Sequence, residues 1–172
     1  MRPSIRLCEA LCAALCCTLA SAAGAQGLFE SMRATGAASQ PGGYVFVSGR
    51  LPDTTLIPLS RDARRAGFTL VLNGFWDDLD ATRRRVAHIN AACCGQAGAR
   101  WQINPLMFER YRVDAVPSFV VTVGPGTAPA DYSKVTGEMS VANALKFFAQ
   151  QSKVAAVRRY AAAAYTQAFA TQ

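Results

Sequence analysis

Proline at position 117 sets the tightest constraint on how this chain can fold. The segment Asn104–Val121, NPLMFERYRVDAVPSFVV, runs from a short helix bearing Phe108 and Tyr111 through Val113 and Val116 to Pro117. It then passes directly into the β-branched run Val120-Val121-Thr122-Val123. Proline has no amide proton and is normally kept out of strand interiors, so its position immediately before a strand that reads as buried demands a special backbone geometry. A cis Val116–Pro117 bond in a tight turn meets that demand.

The start of the chain reads as a secretory signal peptide over residues 1–25. Arg2 and Arg6 supply the positive end, Leu7 to Ala20 is apolar apart from Glu9 and Thr18, and Ala23-Gly24-Ala25 supplies a small-x-small cleavage site before Gln26. The apolar run is shorter than the ~20 residues a membrane span needs, so no anchor is expected. None of Cys8, Cys12, Cys16 and Cys17 lies in a lipidation pattern. Removal of this leader leaves 147 of the 172 residues, enough for one domain that folds without disulfides. Arg2, Arg6 and Glu9 leave with it, so the net charge falls from +7 to +6, an excess that bears on association and not on fold.

Residues 26–43 are rich in Gly, Ala and Ser and read as a flexible lead-in, with Leu28, Phe29 and Met32 at helical spacing. The domain proper is expected over 44–150. Tyr44–Ser48 reads as a buried strand. A helix follows to Ala66, with Asp53 as its N-cap and Leu56, Leu59 and Ala63 on one face. Pro58 would break its interior, so the regular helix is expected to begin near that residue. Thr69–Asn73 is the second strand. Asp78–Cys93 is an amphipathic helix whose apolar stripe is Leu79, Thr82, Val86, Ile89 and Cys93. Trp101–Ile103 reads as a short strand, Ser118–Val123 as the strand after the corner, and Tyr132–Val135 as its antiparallel neighbour. Ser140 caps a helix carrying Val141, Leu145 and Phe148, and residues 151–172 form a helical tail by propensity.

The Ala115-Val116-Pro117-Ser118-Phe119 turn resembles the cis-proline corner of thioredoxin-like domains. The implied fold class is α/β: a thioredoxin-like mixed sheet flanked by helices, with 78–93 as an extra helix inserted before the corner. A narrower resemblance rests on three ordered blocks. They are Val45-Phe46-Val47-Ser48 with Leu51-Pro52-Asp53, Ala66-Gly67-x-x-Leu70-Val71-Leu72-x-Gly74, and Gln102-Ile103-Asn104-Pro105-x-x-Phe108-x-Arg110-Tyr111-x-Val113-x-Ala115-Val116-Pro117. Together they resemble the TrbC family of F-type conjugative pilus assembly proteins over roughly Tyr44–Phe148. The resemblance implies a periplasmic component of a conjugative type IV secretion system that works with a TraW-type partner. It implies no enzymatic activity, small-molecule substrate or cofactor.

Thioredoxin-type redox catalysis needs two thiols at Cys-x-x-Cys spacing on a helix N-terminus. The equivalent junction here is Ser48-Gly49-Arg50-Leu51-Pro52-Asp53, which contains none. Arg50, Leu51, Pro52, Asp53 and Val116 are then candidates for a docking groove that outlived the catalysis. The alternative is that Pro117 only fixes a turn, and the sequence favours neither.

Cys93-Cys94 could form a vicinal disulfide or an intermolecular bond. One cysteine packed on its helix and the other exposed is the expected state, because bridging neighbours distorts the backbone. These two thiols also define the competing function, a periplasmic thiol-disulfide oxidoreductase or redox-linked chaperone. With His88 alone they do not supply a zinc site. His88 is read as a solvated imidazole and Arg83-Arg84-Arg85 as a solvated face, so neither general-base catalysis nor nucleic-acid binding is expected. Phe147, Phe148, Tyr160, Tyr165 and Phe169 either cover their own sheet, the favoured reading, or face a partner.

Overall fold

A computed structural model describes residues 42–170. The signal peptide expected over 1–25 and nearly all of the lead-in expected over 26–43 lie outside the described residues. The elements follow in the order β1 (Gly42–Val47), α1 (Asp53–Ala66), β2 (Thr69–Leu72), α2 (Leu79–Cys94), β3 (Arg100–Ile103), α3 (Pro105–Arg110), β4 (Ser118–Thr122), β5 (Tyr132–Thr136), α4 (Val141–Gln151) and α5 (Ala155–Phe169). One mixed sheet runs β3-β2-β1-β4-β5. Strand β1 is parallel to β2 and β2 to β3, whereas β4 is antiparallel to both β1 and β5. This is the thioredoxin-like α/β arrangement, with α2 as the extra helix before the corner.

Strand side chains alternate across the pleat, so the sheet supports two cores. Val45, Val47, Leu70, Leu72, Phe119 and Val121 face α1, α4 and α5, together with Ile89 of α2. Tyr44, Phe46, Val71 and Val120 face Met107, Phe108 and Tyr111 around α3. Phe46 meets Phe108 edge-on with ring centres 4.9 Å apart, a geometry aromatic pairs favour. Burial on both faces explains why β1 reads as a continuous apolar run.

Helix α1 begins at Asp53, not near Pro58, which lies exposed inside it. The bond Pro58 cannot donate would go to the carbonyl of Thr54, also exposed, where water can take its place. The N-cap is Pro52 and the Asp53 side chain makes no cap bond. The helix closes through Gly67, at φ 71°, with Phe68 N donating to Ala63 O and Gly67 N to Arg64 O. In α2, Asp78 is the cap and accepts from Ala81 N at 2.7 Å. Its stripe is narrower than the spacing suggests: Thr82 and Ile89 are buried, but Leu79 in the first turn is 51% exposed.

Asp62 lies half-buried on α1. Burial raises its carboxyl above the ordinary carboxylate range, while Arg65, Arg61 and the Val141 amide pull the other way. A folded-state value above the unfolded one means that stability is greatest while the group is protonated and is lost as pH rises through the folded value. Asp62→Asn is therefore expected to raise the melting temperature at about pH 7 and to give no gain at about pH 3, checked by thermal melts at both.

Candidate docking site at the thiol-free loop

The loop Ser48–Pro52 leaves the sheet at the carboxyl end of β1, where α/β folds place their working loops. Leu51 N donates to Ser48 O at 3.2 Å and Arg50 N to Ser48 Oγ at 3.4 Å, which makes the loop a tight turn. A side chain on α2 holds it in place. Arg85 donates from Nη1 to Gly49 O at 2.8 Å, and from Nη2 to Leu51 O at 2.7 Å. Its Nε and Nη2 also reach Asp53 Oδ1, at 3.0 and 2.9 Å. The guanidinium lies over the Trp76 ring, 4.6 Å from its centre. Trp76 in turn packs against the Gly49 backbone so closely that a Cβ there would fall 2.1 Å from its ring. One planar cation therefore ties two loop carbonyls, a carboxylate and an aromatic face together, which a lysine point charge could not do.

The run Arg83-Arg84-Arg85 is thus not uniformly a solvated face. Arg83 and Arg84 are exposed, but Arg85 sits three residues after Thr82 and four before Ile89, on the inward side. That spacing, with a tryptophan shortly upstream, is the sequence signal that marks it. Asp53 answers Arg85 instead of capping α1. His88 is largely exposed, with Nε2 3.7 Å from Asp53 Oδ2.

The Val116–Pro117 bond is cis. The ladder between β1 and β4 ends at the pair Phe46–Ser118, so Pro117, next to Ser118, lies at the end of β1 from which the loop leaves. Ser118 Oγ, 2.7 Å from Ala115 O and 2.6 Å from Thr136 Oγ1, and Gly137 N, donating to Pro117 O at 3.0 Å, fasten the corner to β5. Arg50 and Pro52 are exposed, while Leu51 and Val116 are half-buried against the two cores. Phe75, 55% exposed, follows β2 at this same end of the sheet, where no sequence pattern marks it.

The matching family model, described as type-F conjugative transfer system pilin assembly protein, covers residues 45–148. The chain belongs to the TrbC family. The matched span includes the loop, the Arg85 contacts and the proline corner. No curated protein and no solved structure matches the chain.

Cys93 and Cys94 are bonded to each other, contrary to the expectation of one packed and one exposed thiol. They end α2, eight residues and so about 12 Å along the helix from Arg85. Arg61 Nε donates to Cys93 O at 3.5 Å, which places them beside the later turns of α1 and away from the Asp53 end. The sulfurs and the proline corner do not share a site. Among the C-terminal aromatics, Phe148 is buried, while Tyr160, Tyr165 and Phe169 pack on the main core. Phe147 is 43% exposed. Among the described residues, no helix is long and apolar enough to cross a membrane.

Proposed function

We propose that this member of a pilin assembly family is an exported, non-enzymatic factor that works in the periplasm through contacts with a TraW-type partner. The observation that carries this reading is the loop itself. Where thioredoxin chemistry needs two thiols there are none, and the backbone they would occupy is held from below by Arg85. A site fixed in this way is suited to presenting a surface and has no group to exchange electrons. Arg50, Leu51, Pro52 and Val116 form the contact ledge, with Asp53 supporting it through Arg85. The family role supports the same reading.

Combined Leu51→Asp and Val116→Asp is expected to weaken capture of the TraW-type partner by about tenfold or more and to lower pilus assembly in a complemented strain. Both side chains touch a core, so Arg50→Glu serves as the variant that leaves packing untouched; it is expected to weaken capture by about threefold. Unchanged capture by all the variants would refute the ledge. An insulin-reduction activity that Cys93→Ser abolishes would refute the non-enzymatic reading.

A further inference from the structure

Among the described residues, strand β5 pairs with β4 on one side and is the last strand of the sheet on the other. Val123 N donates to Asp131 O and Gly137 N to Pro117 O, so the odd-numbered residues of this stretch turn their backbone groups toward β4. By the alternation of an antiparallel ladder, the N–H and C=O groups of Tyr132, Lys134 and Thr136 point away from the sheet. Alongside this margin, α4 and the turn into α5 form a groove with Tyr132, Phe147, Phe148 and Lys153 in its lining. Among the described residues its lining includes two lysines and no carboxylate. Lys134 lies on the strand and donates to Arg112 O, while Lys153 is exposed in the turn.

We propose that this margin receives an extended, acidic segment of an assembly partner as an added strand, with an apolar side chain seated beside Phe147. The proposal rests on the reading of the protein as a contact-based assembly factor and names the kind of segment it takes. Main-chain bonds to the three outward residues supply affinity, and alternate side chains supply specificity. The charge of the margin selects the occupant. If β5 paired antiparallel with β5 of a second copy, centred on its middle residue, Lys134 would sit opposite Lys134, and like charges directly opposite are destabilising. A lysine on an edge strand guards against that kind of pairing. Carboxylates on the incoming strand turn the same lysine into an attraction. The margin is also continuous with the ledge, because Thr136 leads to Gly137, which is bonded to Pro117.

The test uses the purified protein and a blocked peptide, Ac-Glu-Val-Glu-Phe-Glu-Val-Glu-NH2, with its all-lysine twin and an N-methylated version. At saturation the acidic peptide is expected to slow hydrogen exchange at the amides of Tyr132, Lys134 and Thr136 by about tenfold, and the other two peptides to leave it unchanged. Lys134→Glu and Lys153→Glu are each expected to weaken binding about fivefold. Equal response to the acidic and basic peptides, binding of the N-methylated peptide, or unchanged exchange would overturn the proposal. So would concentration-dependent dimers that protect these amides, or protection lost when Phe29 and Glu30 are replaced, which would assign the margin to the chain's own leading segment. If Lys134→Glu with Lys153→Glu sustains pilus assembly while Arg50→Glu lowers it, the margin proposal fails and the assembly reading stands.

Discussion

Replacing Arg85 with alanine is expected to cost about 3 kcal/mol of folding free energy. The substitution removes charge-assisted bonds to Gly49 O and Leu51 O, the pair with Asp53 and the stack on Trp76. Each such bond contributes on the order of 1.5–3 kcal/mol when isolated. They share one side chain that remains 29% exposed, so they do not sum and solvent screens them in part. Asp53 is left without its nearest cation, which adds to the loss. Arg85→Lys keeps the charge without the planar fork and is expected to recover less than half of it. Urea denaturation gives the stability change, and amide exchange at Arg50 and Leu51 reports whether the loop opens. A change within about 0.5 kcal/mol would show that the contacts are passive.

Truncation after Ser152 is expected to remove about 5 kcal/mol, comparable with the entire net stability of an ordinary domain. Val157 and Ala161 of α5 are fully buried in the main core, and Tyr160, Tyr165 and Phe169 pack against it. Arg158 Nη1 donates to Ser152 O at 2.6 Å, and Lys146 sits 5.0 Å from the centre of the Tyr165 ring. Without α5, the apolar face of α4 that bears Leu145 and Phe148 meets water. The truncated chain should lose its cooperative melt and its near-ultraviolet signal. Val157→Ala in the full chain provides a milder check, at about 1–2 kcal/mol in urea. The family match ends at Phe148, within α4, so the matched span is shorter than the folding unit.

Much of this architecture is legible from residue pattern because local and tertiary preferences agree. Ser140 caps the helix expected of it, accepting from Asn143 N, Asp78 opens its expected helix as the cap, accepting from Ala81 N, and Gly67 ends α1. Departures occur where a distant partner decides. Gly42 and Gly43 fall in the expected lead-in but belong to β1, and the Phe68 ring lies where a Cβ on Gly43 would be, within 2.0 Å. Asp53 has the composition of a cap, yet its carboxylate is drawn to Arg85, 32 residues away. Arg85 is masked by its neighbours, since a run of three arginines reads as solvent-facing although the stripe through Thr82 and Ile89 sets the third of them at its margin. The residues proposed for the ledge follow from the corner and the missing thiols, whereas Arg85 follows only from its spacing to Thr82 and Ile89.

The bonds from Arg85 to Gly49, Leu51 and Asp53 each span more than thirty residues. The shape of the loop therefore depends on a helix distant in sequence, α2, which packs on α1. A chain in which α2 has come away carries the same Arg50, Leu51 and Pro52 without the Arg85 bonds to Gly49 and Leu51. Any protein that recognises the ledge would be inspecting finished molecules, and quality control would be built into the handshake.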